Sequence, residues 1–251
     1  DSIDLASLSA THSVFKRVVM ISGASRGIGY AIARQLLNDG HHVSLGLRDP
    51  LKFRASDASS AFQASDHTLL HSYEAEDPQS AEKWVASTLE WAETVDTLIH
   101  CAGILRTTPL LFRDDQVSEL DDLWRINVMG PWWLTRAAWP QLCQSGHGRI
   151  QVLVSMSGQR VKGRLAGYSA SKFALMGLCQ SMRNEGWSSG LRVTAICPSW
   201  VNTEMARSIS SVNPVEMSQP EEIATVVSTL LHLPNASVPF EIKLNCGLET
   251  G

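Results

Sequence analysis

The chain has little of what a disulfide-stapled, metal-bound or membrane-spanning protein needs. Its five cysteines, at 101, 143, 179, 197 and 246, are odd in number, and none forms a CxxC pair. A disulfide scaffold or thiolate zinc site is therefore not expected, and a reducing, cytoplasmic setting is. No apolar run approaches the roughly 18 residues of a membrane span. Basic residues are no more plentiful: 21 Lys and Arg face 25 Asp and Glu, a formal charge of −4. A nucleic-acid binder would carry a basic excess or stripe. The eight histidines include His41 with His42 and His67 with His71, but no carboxylate or cysteine accompanies them at a ligand spacing, so no metal is expected.

What is present is a chain of 251 residues, 44% hydrophobic and 18% charged. That is enough to bury one substantial core without a staple. Residues 1–16 carry neither a basic start nor a long apolar core. They are expected to be a leader or disordered arm rather than a signal peptide, followed by one domain over 17–251.

Short Val- and Ile-rich runs alternate with helical periodicity along that domain. Strands are predicted over 17–22, 43–47, 68–71, 95–100, 149–155, 191–196 and 238–244. Helices are predicted from Ile28 to Gly40 and over 77–91, 117–143, 166–187 and 220–231, with 49–66 polar and holding at most a short helix. Asp77 with Pro78, and Pro220, suit helix starts. Pro131 and Pro140 are tolerated in 117–143 only at kinks or breaks. Seven strands alternating with helices predict a single-domain, Rossmann-type, doubly wound parallel sheet with helices on both faces.

The sharpest local signal is Ser22-Gly23-Ala24-Ser25-Arg26-Gly27-Ile28-Gly29, between the first strand and the first helix. Gly23 permits a tight turn, Gly27 lets a pyrophosphate approach the backbone, and Gly29 lets the helix pack closely. The helix N-terminus then offers N–H groups to the phosphates. The spacing is GxxxGxG, and no Lys-Ser or Lys-Thr follows it, which excludes a Walker loop. The second signal is Tyr168-Ser169-Ala170-Ser171-Lys172. Residues 168 and 172 are i and i+4 and share a helix face. A lysine ammonium beside a phenol is expected to lower the tyrosine pKa and make Tyr168 a usable proton donor or acceptor.

Together these motifs resemble the short-chain dehydrogenase/reductase family, in particular bacterial carbonyl reductases of the 3-oxoacyl-reductase type. The resemblance covers about residues 17–245. The glycine motif resembles TGxxxGIG with Ser22 for threonine, and Tyr168 with Lys172 matches YxxxK. Ser155, thirteen residues before Tyr168, matches the catalytic serine, with Ser157 as the rival. Asn127 matches the helix asparagine, Pro198 the proline after the sixth strand, and Thr203 the threonine that follows it.

The resemblance implies that Tyr168 exchanges a proton with the substrate oxygen and that Lys172 assists it and holds the nicotinamide ribose. It also implies that Ser155 hydrogen-bonds the substrate oxygen and that Asn127 orders a water leading from Lys172 to solvent. Cofactor contacts are expected from Gly23, Ser25, Arg26, Gly27, Ile28, Gly29, Arg48, Glu74, Ala102, Gly103, Tyr168, Lys172, Pro198, Val201 and Thr203. Substrate contacts are expected from Ser155, Tyr168, Trp200 and Met205. Arg106, Arg160 and Arg164 are candidates either to meet an anionic or polar group or simply to face water. The family's NNAG reads His100-Cys101-Ala102-Gly103 here, so His100 must replace an asparagine that ties the sheet together, or the tie is absent. Its PG reads Pro198-Ser199.

An NAD-preferring member would end its second strand on an acid. Here Leu47 holds that place and Arg48 follows, so NADP(H) is expected over NAD(H), with Asp49 the neighbour able to blunt Arg48. The expected activity is NADP(H)-dependent hydride transfer to or from a small-molecule carbonyl or secondary alcohol. The rivals are an NAD-dependent alcohol dehydrogenase and a non-catalytic dinucleotide-binding regulator. Trp124, Trp132, Trp133 and Trp139 on one helix suit core and subunit packing, and the resemblance implies a homotetramer or dimer through that helix and the one carrying Tyr168. No nucleic acid or membrane partner is expected.

Overall fold

The computed structural model describes residues 15–63 and 65–247. Apart from residues 15 and 16, the arm expected over 1–16 lies outside the described residues.

Seven strands form one parallel sheet: β1 Val18–Ser22, β2 His42–Leu47, β3 Thr68–Ser72, β4 Thr97–His100, β5 Arg149–Leu153, β6 Arg192–Pro198 and β7 Glu241–Leu244. Their spatial order is β3-β2-β1-β4-β5-β6-β7. The order reverses between β1 and β4, and a crevice opens at such a switch point beyond the strand ends. β1, β4 and β5 are buried along their whole length. A sheet covered on both faces requires such continuous apolar runs.

Helices α1 Gly27–Asn38 and α9 Pro220–Leu231 pack against each other on one face. Ile32, Leu36, Ile223 and Val227 form the core there. Helices α4 Pro78–Ala92, α6 Gly130–Gln144 and α7 Ala166–Gly186 cover the other face, around Trp84, Leu134, Leu142 and Leu175. Short helices α2 Pro50–Arg54 and α3 Ser60–Gln63 occupy the stretch after β2. Asp77 accepts from the Gln79 N–H at 2.9 Å and caps α4.

The long helix expected over 117–143 is divided. α5 Val117–Trp124 runs into a π-helical turn at Arg125–Met129, and only then does α6 begin. Pro131 sits in the first turn of α6, where its missing N–H costs nothing. Pro140 lies inside α6, which continues past it. The fifth strand ends at Leu153, two residues short of Ser155.

Candidate functional site

The turn after β1 is built around Gly23, whose φ is +71°. A Cβ there would come within 2.7 Å of the Ala102 backbone nitrogen, so only glycine lets this turn approach the end of β4. Ser22 fastens the approach, its Oγ accepting from the N–H groups of Cys101 and Ala102 at 3.2 Å each. Gly27 also has positive φ, +58°, and its nearest neighbour is the Thr203 methyl. Arg26 precedes α1 in extended conformation, and no side chain caps the helix. The first-turn N–H groups of α1 thus face the crevice uncapped, beside an open backbone. Such a cradle fits a dinucleotide pyrophosphate.

Across the crevice, α7 carries Tyr168 and Lys172 on one buried face. Lys172 Nζ lies 5.7 Å from the Tyr168 ring centroid and donates to the Leu153 carbonyl at 3.0 Å. Gly103 opens onto both helices: a Cβ there would stand 3.2 Å from Asn127 Oδ1 and 3.8 Å from Lys172 Nζ. The chain therefore brings Ala102, Gly103, Asn127, Ser155, Tyr168 and Lys172 to one end of the sheet, next to the glycine turn.

Ser155 has φ 92° and ψ 152°, a region that glycine alone enters freely. Holding a serine there costs of order 1–3 kcal/mol, and such strain clusters at functional sites. Its Oγ accepts from the Ser157 N–H at 3.1 Å, so the rival serine supports Ser155 through its backbone. Ser155 also hydrogen-bonds the Tyr168 hydroxyl.

The electrostatics depart from expectation. Burial pushes the Tyr168 phenol up to about 12, opposed only by its bond to Ser155. Burial also draws Lys172 down to about 8, partly countered by the Cys179, Cys101 and Cys197 thiols. Desolvation of both groups outweighs the attraction that sequence spacing suggested. In this arrangement the phenol is held protonated.

Asn127 lies on the π-helical turn. Its side chain accepts from the Ile104 N–H at 2.8 Å and donates to the Ile104 carbonyl at 2.9 Å and to Ser171 Oγ at 3.1 Å. It pins the segment after β4 to α7. A π turn re-aims a side chain in this way, and such turns recur at functional sites. Ser171 completes the link by donating to the Tyr168 carbonyl at 2.7 Å. Its role was missed in the sequence, where Ser171 is one of three small residues inside a motif.

His100 is fully buried and points away from neighbouring strands. Its Nε2 lies 2.9 Å from Thr135 Oγ1 on α6. Burial lowers its pKa to about 3, so it is a neutral packing group. Ser22 rather than His100 makes the side-chain link between β1 and the end of β4.

On the adenosine side, Leu47 is buried and Arg48 is exposed. Among the described residues no ion pair engages Arg48. Asp49 is occupied capping α2, accepting from the Lys52 N–H at 2.9 Å. Glu74 and Ser25 are exposed. Pro198 ends β6 and, like Val201, is buried. Thr203 caps the short helix α8 Glu204–Arg207. Arg26 meets an unexpected partner, since its guanidinium forms an ion pair with Glu204. Trp200 is half-buried after β6, and Met205 is 41% exposed on α8. Arg106 is engaged by Asp122 at 3.7 Å.

Comparison with known proteins agrees with this architecture. Residues 17–213 match the short chain dehydrogenase family. The chain is 38% identical to agropine synthesis reductase of Rhizobium rhizogenes over 234 residues, 93% of this chain and 53% of that protein. It thus spans about half the length of that curated relative. An alcohol dehydrogenase from the archaeon Thermococcus sibiricus, solved with 5-hydroxy-NADP, superimposes with a TM-score of 0.81 at 27% identity, covering 93% of this chain and 97% of that one. A point variant of actinorhodin polyketide ketoreductase, solved with NADPH, gives 0.81 at 26%, covering 92% and 96%. The fold is a Rossmann-type, doubly wound parallel sheet. The chain belongs to the short-chain dehydrogenase family.

Proposed function

We propose that this chain is an NADP(H)-dependent oxidoreductase that interconverts a carbonyl and a secondary alcohol. The observation that carries this reading is the cluster of half-buried Ser155 with buried Tyr168 and Lys172, gathered beside an uncapped helix N-terminus and a glycine cradle. The dinucleotide, when bound, supplies or accepts hydride at its nicotinamide. Tyr168 moves the proton at the substrate oxygen. Ser155 donates a hydrogen bond to that oxygen and stabilises the charge developing on it. Lys172 holds the ribose hydroxyls and places a positive charge under the phenol. Asn127 keeps the segment after β4 in place against α7.

A phenol raised by burial is protonated at neutral pH and so has a proton to donate. The names of the similar reductase and ketoreductase support reduction of a carbonyl as the direction. Trp200 and Met205 stand on the segment that follows β6 and would contact the substrate. The five cysteines are free, in keeping with a reducing, cytoplasmic setting. Among the described residues no helix is long and apolar enough to cross a membrane.

The expected test is turnover of a panel of carbonyl compounds with NADPH, before and after Tyr168→Phe. That change removes only the hydroxyl. It should lower kcat at least about 100-fold while cofactor binding persists. Near-normal turnover by the folded variant would reject the assignment.

We also propose a homodimer or tetramer formed through α5–α6 and α7. Trp124, Trp132 and Phe173 on these helices are each about half exposed. Phe173 and Ala170 line an apolar hollow of about 530 Å³ with Pro109, Leu110 and Val161. Exposed apolar surface of this kind marks an association face. Light scattering that finds only monomer at micromolar concentration would refute it.

A further inference from the structure

We propose that Glu204 sets the affinity for the 2'-phosphate of the dinucleotide by competing for Arg26. This rests on the NADP(H) reading above and adds to it a residue that acts against the phosphate.

Arg26 and Glu204 are 178 positions apart in sequence, yet their side chains join across the mouth of the crevice. The backbone on both sides fixes their approach. Arg26 directly precedes α1, and Gly27 leaves just enough room for the Thr203 methyl, which would stand 3.4 Å from a Cβ at that glycine. Thr203 then caps α8, its Oγ1 accepting from the Ala206 N–H at 3.3 Å. Glu204, the first residue of α8, is thereby delivered to the glycine turn.

The surrounding charges leave this carboxylate as the group that neutralises Arg26. Arg48 has no ion-pair partner among the described residues, and Asp49 is turned to the α2 N-terminus. Arg207, on the same short helix, donates to Asn202 Oδ1 at 3.3 Å instead. The end of β2 lies beside the turn, with Ser22 paired to Gly46 and the Gly23 N–H donating to the Gly46 carbonyl at 3.2 Å. Arg26 and Arg48 therefore flank one rim, where Arg26 carries a counter-charge and Arg48 carries none.

Both partners are mostly exposed, 64% for the Arg26 side chain and 70% for Glu204. Such a pair is weak and exchangeable. A phosphate monoester presents more charge and matches the guanidinium fork, so it displaces the carboxylate. The displaced carboxylate then stands next to a like charge. Both effects act on the 2'-phosphate, so they penalise a 2'-phosphorylated ligand more than one with a free 2'-hydroxyl, which meets Glu204 only through its pyrophosphate.

The test is calorimetric titration of NADPH and NADH into wild type, Glu204→Gln, Arg26→Ala and the double variant. Glu204→Gln should tighten NADPH about two- to fivefold, the range of one surface ion pair, and tighten NADH less. The gain should shrink at high salt and vanish in the Arg26→Ala background. No gain for NADPH, an equal gain for NADH, or a gain that survives without Arg26 would each overturn the role of Glu204. A wild type that binds NADH at least as tightly as NADPH would instead remove the cofactor reading, and this inference with it.

Discussion

At the end of the sheet where the strands begin, Arg17 and Asp96 are buried together, their side chains only 5% and 6% exposed and 3.2 Å apart. Asp96 also accepts from the Val18 N–H at 3.0 Å and the Thr97 hydroxyl at 2.7 Å, and Arg17 reaches the His147 carbonyl at 3.2 Å. At the end where the strands finish, Lys172 is equally buried, but among the described residues no carboxylate pairs with it. Its ammonium donates to one carbonyl, that of Leu153. Burying charge without a counter-charge is costly. The first end avoids that cost and gains a fixed joint between β1 and β4. The second end tolerates it, together with a strained Ser155, at the crevice where the candidate site lies. Paired charge anchors the end where the strands begin, and unpaired charge and backbone strain gather where they finish.

Breaking the paired end should have the largest effect. Asp96→Ala leaves Arg17 buried without its partner and takes the acceptors from Val18 and Thr97. Loss of one member of a buried pair costs about 3–5 kcal/mol. Chemical denaturation should show a loss of this size, while the fraction that remains folded turns over normally. A midpoint shift worth less than about 1 kcal/mol would show that this end is not where the sheet is anchored.

A smaller effect follows from His100, which is buried at the ligand end without a charge to pair with. Its pKa is lowered by burial to about 3, against an unfolded value near 6.5. Between those values the unfolded chain binds a proton that the folded chain refuses. Stability therefore falls as pH drops through this window, at up to about 1.4 kcal/mol per pH unit. His100→Asn removes that titration. Urea unfolding at pH 6.5 and 4.5 should show a loss smaller than the wild-type loss by roughly 2 kcal/mol. Equal losses would mean that His100 titrates freely in the folded state.

How much of this was legible in the sequence depends on distance along the chain. The alternation of strand and helix, the glycine turn and the i, i+4 pairing of Tyr168 with Lys172 are local patterns, and they carried the fold and the place of the candidate site. Pro220 marked the start of α9 for the same reason. The break between α5 and α6 was hidden because apolar residues keep helical spacing through the π turn, which shifts the register without changing composition. The backbone of Ser155 carries no sequence mark, since only glycine would have advertised a positive φ. The direction of the Tyr168 shift was misread because burial is a property of the packed molecule and spacing is not. Arg26 with Glu204, and Asn127 with Ile104, are long-range contacts that no local window contains.

The smallest effect, and the one that sharpens the comparison, concerns the rim of the ligand end. If that end is built to receive a charged ligand, its outer cations should discriminate between dinucleotides. Leu47 is buried, so no acid stands at the end of β2 to bind a ribose diol or repel a phosphate. Arg48 is exposed and unpaired among the described residues, and Arg26 lies on the same rim with a partner it can exchange. Two guanidinium groups match phosphate oxygens well. NADPH should therefore exceed NADH at least about tenfold in kcat/KM, equivalent to about 1.4 kcal/mol. Replacing both Arg26 and Arg48 by alanine should act mainly by raising KM for NADPH, with kcat changed little, because neither residue touches the reacting atoms. Steady-state kinetics with both cofactors at matched substrate measure this directly. Equal or better efficiency with NADH in the wild type, or a double variant that loses kcat rather than affinity, would show that the two arginines are ordinary surface charges.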